Sequence, residues 1–118
     1  MNIYEKIYQK LERLGVMKVT GSIHLKSTGY MDLVIEKLEV NHYSLTHYYE
    51  MNGDLVPDPD MEIRILPEQR MADALSYQDL YGYRRVYDGD KVDAKSKKDL
   101  NIFLDHWLSN LIEQGFQN

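Results

Sequence analysis

The chain of 118 residues contains no cysteine, so disulfide bonds and thiolate chemistry are excluded. It also lacks any apolar run of about 18 residues, the length of a transmembrane helix, and no apolar signal segment follows its first residues. Together with a hydrophobic share of 43%, these absences predict a soluble, cytoplasmic protein without a membrane partner, in which residues 1–118 form a single domain.

Basic residues are also scarce. Lys and Arg number 14 against 19 Asp and Glu, which gives a net charge of −5. Proteins that grip the phosphate backbone carry a basic face, so this balance disfavours nucleic acid as a partner. Tyrosine, in contrast, is abundant: ten are present against two Phe and one Trp. Tyrosine favours both β-strands and protein interfaces, and both interpretations stay open.

The N-terminal segment predicts a helix over residues 3–14. Apolar side chains recur there at intervals of three and four residues, as on one face of an amphipathic helix. Asn2 and Glu5 have the spacing of a capping box, and Gly15 is typical of the residue that ends a helix.

The C-terminal segment predicts a second helix over about residues 97–114. Its apolar positions form one stripe that we expect to be buried: Leu100, Phe103, Leu104, Trp107, Leu108, Leu111 and Ile112. Ser96 and Asp99 are spaced as another capping box, and Gly115 ends the apolar pattern.

The segment between the helices predicts strands. Alternating apolar and polar residues indicate strands at about 30–38, 42–50 and 61–66, with further candidates at 22–26, 71–77 and 80–87. Short turns between consecutive strands favour antiparallel pairing. The predicted fold class is therefore α+β: an antiparallel sheet of about five to six strands, flanked by an N-terminal and a C-terminal helix packed on one face.

Residues 47–62, HYYEMNGDLVPDPDME, contain five acids and no lysine or arginine. The spacing of the acids differs from that of a calcium loop, and His42 and His47 would point to opposite faces of a strand, so neither a metal nor another cofactor is predicted. The pair Asn52–Gly53 predicts a tight turn. The two prolines that follow it predict a rigid acidic loop between strands.

This segment has two interpretations. It is either a solvated turn that needs unusual residue types, or a rigid surface on which a partner protein docks. The binding candidates in the second interpretation are Tyr48, Tyr49, Glu50, Asp54, Asp58 and Asp60.

No catalytic residue is predicted, because the chain has no nucleophile-elbow, phosphate-loop or zinc-protease motif. One alternative to docking is a small-ligand or enzymatic pocket between the sheet and the helices, with Tyr43, His47 and Arg84 as the candidates. A second alternative is stacking of single-stranded nucleic acid on strand tyrosines near Arg84 or Arg85.

Two sets of motifs resemble known sequences. HYYEMNGDLVPDPDM resembles a segment of small uncharacterised bacterial domains carried by phages and integrated mobile elements. The order of Met61–Arg64, Met71–Ala72, Tyr87–Asp88 and NIFLDHWL is similar to that of another uncharacterised bacterial domain family. The likeness covers about residues 30–115 and implies a domain of unknown function, with no catalytic residue to transfer.

The function expected from these features is a non-enzymatic interaction module, an accessory protein of a mobile element that binds an unidentified protein partner. A homodimer is a further interpretation of the tyrosine content.

Overall fold

The computed structural model describes residues 1–118 and contains two α-helices and two β-sheets. The helices are α1, Ile3–Leu14, and α2, Ala94–Glu113. The larger sheet has six antiparallel strands in chain order: β1 Ser22–Leu25, β2 Leu33–Glu39, β3 His42–Met51, β4 Asp54–Leu66, β5 Met71–Asp79 and β6 Gly82–Arg85. A short hairpin, β7 Tyr87–Asp88 and β8 Lys91–Val92, leads into α2. The predicted α+β class is confirmed: a six-stranded antiparallel sheet with one helix before its strands in the chain and one after them.

Helix α1 begins and ends at the predicted residues. The side chain of Asn2 accepts the backbone N–H of Glu5 at 2.9 Å, and the Glu5 carboxylate accepts the N–H of Asn2 at 3.1 Å. Gly15 ends the helix with a φ of 78°, and a Cβ at this position would lie 2.8 Å from the carbonyl oxygen of Asn118. Both the left-handed conformation and the close approach therefore require glycine. A 3-10 helix, Val16–Lys18, follows.

Helix α2 begins earlier than predicted. Its N-cap is Asp93, whose carboxylate accepts the backbone N–H of Ser96 at 3.0 Å, so the predicted Ser96–Asp99 capping box is wrong. The hydroxyl of Ser96 instead accepts a hydrogen bond from Arg84 at 3.0 Å. The β7–β8 hairpin ends just before Asp93 and places this residue at the start of the helix. Neither α1 nor α2 has an apolar stretch of the length needed to cross a bilayer.

The core lies between the helices and one face of the sheet. Helix α1 contributes Ile7, Leu11 and Leu14, and the covered face of the sheet contributes Leu33, Ile35, Tyr43, Leu45, Met61, Ile63, Ile65, Ala72 and Ala74. Most of the predicted stripe of α2 is buried against them, with Leu104, Leu108 and Leu111 fully so. Phe103 differs from the prediction that the whole stripe is buried, because its side chain remains 39% exposed at the border of the core.

A buried amide, which the sequence pattern did not single out, connects α2 to the sheet. Between Glu62 and Ile63 the register of β4 and β5 shifts. The backbone N–H of Ala74, next to this shift, donates to Oδ1 of Asn101 at 2.8 Å. The Asn101 amide nitrogen in turn donates to the carbonyl of Lys97 at 2.7 Å. Asn101 thus satisfies a buried backbone donor that would otherwise be left without a partner.

Strand β4 is longer than predicted. The rigid acidic loop expected after Asn52–Gly53 is wrong, since residues 54–60 belong to β4 and pair with β3. The predicted strand at 80–87 is divided: Gly82–Arg85 joins the sheet as β6, and Tyr87–Asp88 forms the separate hairpin. The acidic segment is therefore part of the sheet rather than an excursion from it.

We expect Trp107→Ala to be one of the most destabilising single substitutions. The indole is buried and its ring centroid lies 5.6 Å from that of His47, so truncation leaves a large cavity between α2 and β3. The expected loss is on the order of 3–5 kcal/mol in the free energy of unfolding, measured by urea denaturation. His106→Ala, at the exposed neighbouring position, is the control and should change this free energy by less than about 0.5 kcal/mol. Equal losses for the two variants would contradict the placement of α2.

Candidate functional site

The end of the β3–β4 hairpin projects beyond the rest of the sheet. Strand β2 pairs with β3 only as far as His47, and β5 pairs with β4 only as far as Asp60. Residues 48–51 and 54–59 therefore pair only with each other, and we call them the arm. The arm closes through Asn52, φ 52°, and Gly53, φ 86°, the two-residue turn that this pair predicted.

The prolines of the arm fit an edge strand. Met51 and Asp54 flank a two-residue turn, which makes them a hydrogen-bonded pair, and the alternation of the ladder makes Tyr48 and Pro57 a pair without hydrogen bonds. The nitrogen of Pro57 therefore points away from β3 and costs no ladder bond. A register shift between Thr46 and Tyr48 places Asp58 and Pro59 in a bulge. Prolines on this edge also prevent another strand from pairing with it.

The arm separates the six predicted binding residues into two groups. Tyr49 lies on the same side as His47 and the core, and Asp54 and Asp58 lie on this side with it. Tyr48, Glu50 and Asp60 lie on the opposite, open side of the sheet. The predicted site therefore does not form one surface.

The core side of the arm lies within electrostatic range of the turn between β5 and β6. Here Tyr49, Asp58 and Tyr81 are close enough to interact electrostatically: partial burial raises the pKa of Tyr49, and the charges of Asp58 and Tyr81 raise it further. We call the set Tyr49, Asp58, Tyr77, Asp79 and Tyr81 the acidic aromatic surface. Three of its members come from β5 and the following turn, about 20 residues beyond the predicted segment.

Tyr77 is at the centre of this surface. Its ring contacts Phe103 edge-on with the centroids 5.2 Å apart, and its hydroxyl donates to Oδ2 of Asp79 at 2.8 Å. Burial, followed by the hydrogen bond and the charge of Asp79 and by the charge of Asp58, raises the pKa of Tyr77 to about 12. Phe103, which departs from the buried stripe of α2, thereby connects the core to the surface.

Asp79 organises the turn that presents Tyr81. Its Oδ1 accepts the backbone N–H groups of Tyr81 at 2.8 Å and Gly82 at 3.2 Å. The Tyr77 hydroxyl, followed by these backbone donors, lowers the pKa of Asp79. Tyr81 is 94% exposed although the turn that carries it is fixed by three hydrogen bonds to one carboxylate. The surface thus combines an ordered backbone with an open aromatic ring.

The open side of the sheet carries a second group of acids. Thr46 donates to Asp60 at 3.0 Å, and burial raises the pKa of Asp60, with Glu62 and Glu36 adding to the rise and the Thr46 bond opposing it. His42 lies between two glutamates, with Nδ1 3.2 Å from Oε1 of Glu39 and Nε2 3.0 Å from Oε1 of Glu62. No three His, Asp or Glu side chains come together in an arrangement that holds a metal ion.

The three pocket candidates lie in different places. His47 is buried against Trp107 and Phe116, with Nδ1 3.1 Å from the carbonyl oxygen of Asp32. Arg84 contacts α2 through Ser96 and, at 3.3 Å, Asp99. Tyr43 lies at the start of β3, beside a groove at the end of the sheet opposite the arm. The structure therefore does not bring these residues into one pocket.

An ion-pair cluster on the open side was not predicted. Arg64 donates to both carboxylate oxygens of the buried Asp73, at 3.0 and 2.8 Å, and Tyr87 donates to the same carboxylate at 2.9 Å. The hydrogen bond to Asp73 raises the pKa of Arg64, and burial raises that of Tyr87. The cluster fastens β7 to β4 and β5. The sequence does show Arg64 and Asp73, opposite charges on neighbouring strands. Their pairing could not be predicted from it, because the register of β4 and β5 is needed to place them side by side.

The raised pKa of Tyr77 predicts a dependence of stability on alkaline pH. A protonated phenol favoured by the folded state contributes stability below its ordinary pKa of 10.0, and this contribution is lost as pH rises through about 12. Tyr77→Phe lacks the titrating group, so its free energy of unfolding should fall less between pH 10 and 12 than that of the wild type, by urea denaturation. Tyr83→Phe, at an exposed position, should follow the wild type. Parallel pH profiles for Tyr77→Phe and the wild type would refute this role of Tyr77.

Comparison with known proteins gives a family but no activity. A family model described as "Domain of unknown function (DUF6908)" matches residues 2–117. No curated protein and no solved structure matches the chain. Since the family match extends over both helices and the whole sheet, the chain belongs to the DUF6908 family of domains of unknown function.

Proposed function

We propose that this protein is a non-enzymatic interaction module, and that the acidic aromatic surface binds a positively charged segment of a partner protein. The sequence resemblance supports a cellular context for it, as an accessory protein of a bacterial mobile element. The single observation that carries the proposal is the geometry of the β5–β6 turn, where Asp79 binds the Tyr77 hydroxyl and the backbone of the exposed Tyr81, within electrostatic range of Tyr49 and Asp58 in the arm.

The charge of this region favours a basic partner. No lysine or arginine occurs between residues 38 and 63, or between residues 71 and 83, so neither the arm nor the β5–β6 turn carries a positive charge. Asp58 and Asp79 are beside Tyr49 and Tyr81. A guanidinium group can stack on a tyrosine ring while its N–H groups donate to a carboxylate, which makes arginine the residue that fits both features.

The ordered backbone of the surface also favours binding. A tyrosine has few rotatable bonds, and the turn that holds Tyr81 is already fixed by Asp79. Little conformational entropy is therefore lost when a partner contacts it. An isolated exposed tyrosine is ordinary on a protein surface, but one on a fixed turn beside the Asp79 carboxylate has the features of an interface.

The two alternative functions have less support in the geometry. A catalytic pocket needs its polar groups to converge, whereas Tyr43, His47 and Arg84 contact different parts of the fold. Nucleic-acid binding on the strand tyrosines would bring phosphates close to Asp58 and Asp79, and like charges repel.

The test uses a hexa-arginine peptide as the probe, titrated into the protein and followed by amide NMR shifts. We expect saturable shifts concentrated in residues 49–58 and 77–83. Tyr49→Ala/Tyr81→Ala should weaken binding by roughly three- to tenfold, the effect of losing stacking worth about 1 kcal/mol at exposed sites. Asp58→Asn/Asp79→Asn should weaken it to a similar degree, because asparagine keeps an acceptor but removes the charge.

The matched control is Asp88→Asn/Asp90→Asn, which changes the net charge equally at another exposed site. It should bind the peptide nearly as well as the wild type. Equal weakening in the two aspartate pairs, or shifts spread over the whole surface, would mean general attraction to an acidic protein and would refute the proposed site. A hexaglutamate peptide should give no shifts.

A further inference from the structure

A groove lies at the end of the sheet opposite the arm. It has a volume of about 510 Å³ and runs between the end of α1, the 3-10 helix and the turns that join β2 to β3 and β4 to β5. Strand β3 starts beside the groove and ends in the arm. Tyr43 at the groove and Tyr49 in the arm are six residues apart, which is about 20 Å at 3.3 Å per residue.

The floor of the groove is apolar with two polar tips. Tyr8, Tyr43 and Ile65 form part of it and are largely buried, and Met17 adds a flexible apolar side chain. The tyrosine hydroxyls that form hydrogen bonds within the protein are those of Tyr77 and Tyr87. The hydroxyls of Tyr8 and Tyr43 make none, and neither is enclosed, because every buried side-chain polar atom has a partner. Both are available to a ligand.

Two lysines at the groove lack carboxylate partners. Lys18 and Lys37 line it, and the lysines that form ion pairs are Lys10, Lys26 and Lys95. In a chain of net charge −5, two unpaired lysines beside one groove create a local positive potential. These two lysines therefore favour a negatively charged ligand in the groove.

The acidic residue that lines the groove, Glu12, already has a cationic partner. Its carboxylate accepts a hydrogen bond from Arg70 at 3.3 Å, and the Arg70 guanidinium lies over the Tyr8 ring at 5.3 Å. The C-terminal carbonyls of α1 would also repel an anion. Asn118 donates to the carbonyls of Leu14 and Gly15, at 2.9 Å each, and so reduces this repulsion.

We propose that this groove binds a small organic anion, a carboxylate or phosphate attached to an aromatic or aliphatic body. The body packs on Tyr8, Tyr43 and Ile65, and Lys18 and Lys37 contact the anionic group. The free tyrosine hydroxyls donate hydrogen bonds to its oxygens. Tyr43 is thus a ligand-binding residue, as its sequence position suggested, but with lysines as its partners instead of His47 and Arg84.

The test measures binding of 2-naphthyl phosphate by calorimetry and amide NMR. The wild type should bind it saturably, with shifts at Gly15, Met17, Lys37 and Asn41. Both halves of the ligand should be needed, so 2-naphthol and inorganic phosphate should each bind at least about tenfold more weakly. Raising the salt concentration should weaken binding of the phosphate ester, because part of the attraction is between exposed charges.

Lys18→Met/Lys37→Met keeps the length of both side chains and removes their charges. It should bind 2-naphthyl phosphate at least roughly tenfold more weakly than the wild type. Lys91→Met/Lys95→Met changes the net charge equally at another exposed site and should bind like the wild type. Tyr43→Phe should lose part of the affinity with the phosphate ester and none with 2-naphthol. No saturable binding by the wild type, or equal binding by the two lysine pairs, would overturn the proposal.

Discussion

The structure depends on α2 lying across one face of the sheet, because a six-stranded antiparallel meander has an apolar face that must be covered. Two kinds of contact hold the helix there. Leu104, Leu108 and Leu111 remove apolar surface from water without fixing the position of the helix along its axis. Asn101 helps to fix the position of the helix along its axis, because its side-chain oxygen accepts the backbone N–H of Ala74 at the irregular part of β5. Burial thus gives most of the attraction, and the polar contacts of Asn101 with Ala74 and of Arg84 with Ser96 and Asp99 give the register.

The position of α2 determines which parts of the sheet are free to bind. Trp107 and Phe103 mark the border of the covered area, and the arm and the β5–β6 turn extend past it. At the other end, α1 and the 3-10 helix cover β4 incompletely and leave the groove over Tyr43 and Ile65. The two proposed sites are therefore consequences of one arrangement: the helices cover the middle of the sheet and leave its two ends partly open.

Much of the fold could be predicted because its signals are local. The capping box of α1 uses two residues three positions apart, and the turn at Asn52–Gly53 follows from two residues that accept positive φ. The predicted start of α2 was wrong because the signal that decides it is not local. Asp93 and Ser96 are both good N-caps by sequence, and the choice between them is made by the β7–β8 hairpin. The prolines of β4 led to the wrong prediction of a loop, because a proline breaks a strand only where its nitrogen faces the neighbouring strand and a ladder hydrogen bond is lost.

The candidate site could be predicted less well than the fold, because its residues meet only through strand register. The acidic segment was singled out because its residue types are unusual, yet alternation places its six candidates on two opposite sides of the sheet. Nothing in the sequence near Tyr49 indicates that Tyr81 is its neighbour. Their proximity depends on the two bulges as well as on the strand order, and a shift of one residue in either bulge would reverse the facing side chains.

The position of tyrosine in this fold has a physical reason. At both ends of the sheet the strands pass from beneath the helices into water, and a side chain there has one part in the core and one part in solvent. Leucine would expose apolar surface at such a border, and lysine would leave the core unfilled. A tyrosine packs its ring and solvates its hydroxyl, as Tyr77 does at one border and Tyr43 at the other. Tyrosine, the residue type that stabilises these borders, is also one that favours interfaces, so the proposed sites need no residue type beyond those that the fold itself requires there.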